Sequence, residues 1–195
     1  MTRTLGRLLC ILALGALSAC GGGSSGGGSL PAALSMSDYA SAYASIATDP
    51  NLASMTPQAT VDARGGSASY AGYATMTVGD GMAAAGYYGG VAMTADFAAN
   101  SVTGNAGNFV KFFSAVADPS VGKSAAGSMS FTGTLTAANE SFTDGIAGTG
   151  TGSIEGQAFG FDVSGNITGL NGEGAILYFN NTSGVDGGGT AFILD

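Results

Sequence analysis

From Gly65 onward the side chains alternate with a period of two, and this pattern constrains the fold more than any other feature. Tyr70, Gly72, Ala74, Met76 and Val78 alternate with Ser69, Ala71, Tyr73, Thr75 and Thr77. Val91, Met93, Ala95 and Phe97 alternate with Ala92, Thr94 and Asp96. Met129, Phe131, Gly133 and Leu135 alternate with Ser128, Ser130, Thr132 and Thr134, and Phe159, Phe161, Val163 and Ile167 with Gly160, Asp162, Ser164 and Asn166. Such spacing places one apolar set on one face of an extended strand. Further strands fit near 100–112, 141–155, 173–180 and 188–194. Turn-forming residues separate them: Gly79-Asp80-Gly81, Asp118-Pro119, Asn139, Asn171-Gly172 and the run from Asn180 to Gly189.

About eight antiparallel strands without helical crossovers close as a barrel or stack as a sandwich. Closure is favoured, because the strands follow one another as plain hairpins and a closed ring has no edges to pair with other chains. The predicted class is therefore all-β, an eight-stranded antiparallel up-and-down β-barrel over 64–195. Its inward residues are modest in size, which suits a lumen filled by side chains. The second face is Ser, Thr and Gly, not the apolar band with aromatic girdles of a membrane barrel.

Composition narrows the function. The 35 glycines would suggest disorder, but 45% apolar residues, with 10 Phe and 7 Tyr, argue for a packed core. Glycine then belongs in turns, bulges and close strand crossings. The chain has no His, so a Ser-His-Asp triad, a Cys-His pair and His-ligated metal are excluded. Thirteen acids against five bases exclude a phosphate-driven nucleic-acid binder. The expectation is a protein that is not an enzyme and carries no cofactor or metal.

The start of the chain reads as an address. Arg3 and Arg7 precede an apolar run from Leu8 to Leu17, too short to span a bilayer as a helix and flanked like a secretory signal. The tetrapeptide Leu17-Ser18-Ala19-Cys20 resembles the lipobox of bacterial lipoproteins. That resemblance implies a signal peptide over 1–19, acylation of Cys20 as the new first residue, and a stable lipid anchor. Cys10 then departs with the signal, leaving no free thiol and no disulfide. Loss of Arg3 and Arg7 moves the formal charge from −8 to −10, which disfavours contact with anionic headgroups. Gly21 to Ser29 is Gly and Ser only, a flexible coil reaching about 15–18 Å, so 20–35 reads as lipidated cysteine and tether. Gly21, in place of an Asp after the lipid cysteine, makes the outer membrane of a bacterial envelope the expected location, on its periplasmic or surface face.

Residues 36–63 read as a short helix and linker. Met36, Tyr39, Ala40, Tyr43, Ala44 and Ala47 form one stripe at helical spacing, with Ser35 or Ser37 as the cap and Asp49-Pro50 as the stop. The helix over 36–48 is expected to pack its face of Tyr39 and Tyr43 against the barrel or to cap it, with a ligand contact by the two tyrosines as the alternative.

Most motifs for chemistry fail. Val121-Gly122-Lys123-Ser124 resembles the end of a phosphate loop, but Ala117 stands where the earlier glycine is required. Gly148, Gly150 and Gly152 alternate within a β segment, not ahead of a helix. The acids Asp80, Asp96, Asp118, Glu140, Asp144, Glu155, Asp162, Glu173 and Asp186 are scattered and read as solvated surface groups. Without His, haem would need Tyr or Met ligands, of which Tyr87, Tyr88, Met82 and Tyr178 are conceivable and none faces another by pattern. Phe112 and Phe113, beside Phe109 and Lys111, fall on opposite faces in strict alternation. Either one of them faces out as a partner contact, or a bulge buries both.

The stretch Tyr87-Tyr88-Gly89-Gly90, followed by Ala95-Asp96-Phe97-Ala98-Ala99-Asn100-Ser101-Val102-Thr103-Gly104-Asn105, resembles transferrin-binding protein B-type barrel lipoproteins. Ser164-Gly165-Asn166-Ile167-Thr168-Gly169 is a weaker echo of the same motif. Ala68-Ser69-Tyr70-Ala71-Gly72 is similar to the family's opening strand, and Gly187-Gly188-Gly189-Thr190-Ala191-Phe192 to its last. The resemblance covers about 64–195 and implies a single soluble eight-stranded barrel on a lipoprotein, of a kind that captures iron or haem carriers or host proteins. In the turn, Phe97 is expected to seal the barrel rim, Asp96 to accept turn amides, and Asn100 to adopt the left-handed conformation.

The leading expectation is a lipid-anchored, monomeric binding module for an unknown protein or haem/iron-carrier ligand. Its contact loops would be 79–90, 113–127 and 180–189, with Tyr87, Tyr88, Phe112 and Phe113 as candidate contacts. The alternatives are a structural lipoprotein engaging another envelope component, or a lipocalin-like carrier of a small apolar ligand inside the barrel.

Overall fold

The structure is a computed structural model that describes residues 28–135, 145–183 and 187–195. The signal, Cys20, most of the Gly/Ser run, the Asn139 turn with Glu140 and Asp144, Asp186 and the Met82 side chain lie outside the described residues.

Two helices precede the sheet: α1 (Met36–Ala47) and α2 (Gln58–Ala63), with a 3-10 turn at Pro50–Leu52 between them. Nine strands follow: β1 (Ser67–Val78), β2 (Ala85–Asp96), β3 (Ser101–Ser114), β4 (Ser124–Ala125), β5 (Gly127–Leu135), β6 (Ile146–Ile154), β7 (Gln157–Thr168), β8 (Gly174–Asn181) and β9 (Gly187–Leu194). Every pairing is antiparallel. Each long strand pairs with the next, and β9 returns to β1 with Tyr73 opposite Phe192, closing an eight-stranded up-and-down barrel. The two-residue β4 adds only a short pairing to β3, at Phe109 and Val110. The predicted fold class is thus observed, and most strand limits lie within a few residues of their predicted positions. The proposed contact loops are shorter than expected, since β3 runs to Ser114, β4 takes Ser124–Ala125, β8 runs to Asn181 and β9 begins at Gly187. The proposed contact loop 79–90 ends earlier, since β2 begins at Ala85 and carries Tyr87 to Gly90 within the wall.

The inward set of the period-two pattern forms the core. Phe131 and Phe179 meet edge-on at 5.9 Å, Phe161 and Phe179 at 5.6 Å, and Phe159 adjoins Phe161 at 6.0 Å. All four rings are buried, each worth roughly 1.5–3 kcal/mol of apolar burial. Glycine makes room for them. A Cβ on Gly104 would collide with the Phe131 ring, which lies across it from the paired strand. Gly133 and Gly148 face each other across β5 and β6, where a Cβ on either would strike the other strand's backbone. Such close crossing lets a small barrel coil tightly.

The helix α1 lies on the outer wall, not across an end of the barrel. Ser35 Oγ caps it by accepting the Asp38 amide, and Asp49 caps the following turn by accepting the Asn51 amide. Tyr39 meets Tyr73 edge-on at 5.7 Å and stacks over Tyr88 at 6.3 Å, while Tyr43 packs on Phe192 at 5.2 Å. Tyr73, Tyr88 and Phe192 belong to the outward set, so this wall of β1, β2 and β9 is apolar where the helix covers it. The Tyr39 hydroxyl donates to Asn108 O at 2.6 Å. The linker is more ordered than the sequence suggested, and so is the end of the tether: Leu30 and Pro31 lie against Gly107 and Gly90 of the wall.

What covers one end is α2 with the residue after it. Arg64 Nη1 donates to Asn171 O and Gly172 O at 2.7 Å each, and its Nη2 to Asp195 at 3.0 Å. Its guanidinium lies 4.8 Å over Phe97. Phe97 is buried at this end, the Asp96 carboxylate accepts the Ala99 amide at 2.9 Å, and Asn100 has φ 51°, as the turn motif predicted.

Candidate functional site at the barrel mouth

At the other end, the mouth, the sheet gathers four polar side chains around a recess. Tyr87 comes from the inward set of β2 and Lys111 from the upper part of β3. Glu155 sits in the β6–β7 turn with φ 51°, a left-handed conformation stabilised by the hairpin and followed by Gly156. Asp118 comes from the loop joining β3 to β4. Lys111 Nζ binds Asp118 Oδ2 at 2.9 Å and also Glu155 Oε2, and the Tyr87 hydroxyl donates to the same Glu155 oxygen at 2.9 Å. The Lys111 side chain is only 7% exposed, while Asp118 and Glu155 keep 24% and 35%.

The loop is shaped by its own residues. Asp118 Oδ1 accepts both the amide and the hydroxyl of Ser120, at 2.8 and 2.7 Å, an Asx-type turn set by the Asp-Pro step. The backbone of Lys111 pairs with both Gly122 and Lys123. Loop, β3 and the β6–β7 turn are thus joined through one ammonium group.

Electrostatics follow from that geometry. Burial alone would lower Lys111, but its hydrogen bonds to Asp118 and Glu155 outweigh burial and hold the ammonium above its usual range. The bond from Lys111, then those from Ser120, hold Asp118 well below the ordinary carboxylate range. Burial, reinforced by the bond to Glu155, pushes the Tyr87 phenol up to about 12. The cluster is an ionic latch in which one ammonium is paired with two carboxylates. An open recess of about 250 Å³ lies over it, lined also by Val116, Ile154 and Gln157.

The predicted contact residues separate. Tyr87 points into the mouth and is engaged by Glu155. Tyr88 points outward, beneath α1, with Phe112 at 4.4 Å. Phe112 is the extra residue of a β-bulge, since Lys111 opposes Tyr87 and Phe113 opposes Gly86. The bulge does not bury both rings: Phe112 is half-buried on the wall, and Phe113 remains 47% exposed at the rim. Tyr178 lies on the outer wall and Tyr87 on the inner face, so those two do not converge. Among the described residues no three metal-ligating side chains come together.

Sequence reasoning missed the Lys111–Asp118–Glu155 cluster and read both acids as solvated. The only local signals were the Asp118-Pro119 turn and the Glu155-Gly156 step, neither of which reports the other. Beside the cluster, Val116 and Val121 are exposed with Phe113, and Lys123 is an exposed cation that no carboxylate pairs among the described residues. The chain matches no protein-family model, and no curated protein matches it at a significant level.

Proposed function

We propose that this chain is a non-enzymatic, lipid-anchored envelope lipoprotein of the transferrin-binding protein B type, binding a partner protein with the rim of its barrel mouth. One observation carries the reading. The lumen is filled by aromatic rings, whereas Phe113, Val116 and Val121 stand exposed on a strand end and loop that the Lys111 latch holds in place. A rigid loop presenting apolar side chains loses little freedom on binding, which is how a small surface reaches useful affinity. The filled lumen weighs against a lipocalin-like carrier. The closed barrel agrees with the family resemblance and does not depend on it.

The test is a pull-down with the soluble 28–195 fragment against haem, haemoproteins, host serum and envelope extract, beside a variant carrying Val116→Asp and Val121→Asp. The expected result is one protein partner, weakened about tenfold or more by the double variant. Equal capture by both proteins would remove the rim from the reading. A partner drawn only from envelope extract, with the barrel protected from protease in intact cells, would favour the structural lipoprotein instead.

A further inference from the structure

The chain enters the described body at Gly28, which lies against Ser69, Tyr70 and Ala92 on the wall. These residues sit in the first third of β1 and opposite it on β2, close to the end that Arg64 closes. From Ser69 to Val78, at the mouth, β1 runs about 30 Å at roughly 3.3 Å per residue. With a strand tilt of about 35–45°, the mouth is about 21–25 Å further along the barrel axis. Gly21 to Gly27 alone separate Cys20 from Gly28. Drawn straight, that span reaches about 29 Å; as a Gly/Ser coil its typical reach is about 14–17 Å. Cys20 therefore meets the closed end within an ordinary coil and meets the mouth only when almost fully stretched.

The closed end also carries the two most exposed large apolar side chains among the described residues, Leu170 at 75% and Met55 at 63%. Neighbouring segments hold them together: the Gly169 amide donates to Ser54 O at 2.9 Å, and the Thr56 hydroxyl to Gly169 O at 2.7 Å. Around them Glu173 and Asp195 are acidic, and Arg64 is already engaged with Asp195. Among the described residues, that surface carries apolar side chains with acids beside them.

We infer that the closed end is a lipid-docking surface, with Leu170 and Met55 entering the headgroup boundary of a zwitterionic bilayer and the mouth directed away from it. The inference rests on the lipid anchor at Cys20. It explains why, Tyr178 on the wall apart, the exposed large apolar side chains among the described residues lie at two opposite ends, one for the membrane and one for the partner. Shallow insertion of a few apolar side chains adds to an acyl anchor without replacing it.

The experiment uses full-length protein processed in cells, with Leu170→Cys or Val116→Cys introduced. Both positions are exposed, and the mature chain offers no competing thiol. Intact mass first establishes acylation of Cys20. Each variant is then spin-labelled in phosphatidylcholine vesicles, and its relative accessibility to oxygen and to a nickel chelate is read. The ratio is expected to be severalfold higher at 170 than at 116. An acylated protein with both labels in water, or with the label at 116 immersed, overturns the docking inference and leaves the anchor standing. A mass without acyl chains overturns the anchor itself, and the inference with it.

Discussion

At the closed end, Arg64 directs its planar fork at two backbone carbonyls, the Asp195 carboxylate and the face of Phe97. At the mouth, Lys111 directs a compact ammonium at two carboxylates, and the Tyr87 hydroxyl joins one of them. Both cations turn to protein acceptors in a chain with few bases, yet they hold different things. Backbone carbonyls are fixed once the sheet forms, so Arg64 staples α2, the β7–β8 turn and the C-terminus into a lid. Asp118 and Glu155 lie on separate loops, so Lys111 ties loop 115–123, already turned by Asp118 and Ser120, to the β6–β7 hairpin. A guanidinium suits the first task because its several donors match several acceptors at once, and an ammonium suits the second as a point charge between two anions.

The sharpest way to break this comparison is Lys111→Met. It leaves Asp118 and Glu155 close together with no cation between them. A loss of about 3 kcal/mol is expected, near the low end for a broken buried pair, because water reaches part of both carboxylates. Urea unfolding measures the loss, and hydrogen exchange at the Gly122 amide, which donates to Lys111 O, reports the loosened loop. Adding Asp118→Asn should recover part of the stability by relieving the repulsion. Unchanged unfolding in the single variant would mean that the ammonium latches nothing.

A smaller effect is expected at the other end for Arg64→Lys, about 1–2 kcal/mol. Charge is kept there while the fork that reaches Asn171 O, Gly172 O and Asp195 together is lost. If lysine served as well as arginine, charge alone would hold the lid, and the distinction between the two ends would collapse.

The period-two pattern made the barrel legible, because strand pairing imposes on every residue an inward or outward face that sequence alone displays. The Asp96-Phe97 turn was legible for a similar reason, since its interactions fall within a few residues. What escaped was everything made by distant segments meeting. Lys111, Asp118 and Glu155 converge only after β3 and the β6–β7 turn reach the same mouth. Arg64 finds its carbonyls more than a hundred residues away in the chain. Tyr39 and Tyr43 were legible as one helical stripe, but not that the stripe would seek the outer wall. That choice depends on Tyr73, Tyr88 and Phe192, which look like ordinary outward residues until the wall assembles. Phe112 and Phe113 stayed ambiguous because a bulge changes which side each residue takes without leaving a residue-type signature.

The smallest expected effect separates the two ends by their response to alkali. Burial pushes Tyr70 up to about 12 at the closed end, although Arg64 opposes it, and Tyr87 reaches about 12 at the mouth. An unfolded tyrosine ionises near 10. A phenol raised in the folded state contributes its full share of stability below about pH 10, and that share is lost as pH rises between about 10 and 12. Lys111 is raised as well, so its contribution also stands at neutral pH and falls away as pH climbs past the unfolded lysine value. The mouth therefore holds two groups that weaken in alkali where the lid holds one. Each group steepens the stability loss by at most about 1.4 kcal/mol per pH unit. Urea unfolding at about pH 10 and 11 should show a shallower decline for both Tyr70→Phe and Tyr87→Phe than for the wild type, provided each variant folds. Lys111→Met should remove the lysine's share and leave the Tyr87 response, because burial and Glu155, which raise the phenol, remain and only the opposing ammonium is lost. Mouth and lid would then each keep one raised phenol, Tyr87 and Tyr70. If Lys111→Met declined as steeply as the wild type, the mouth would not be the end that alkali opens first.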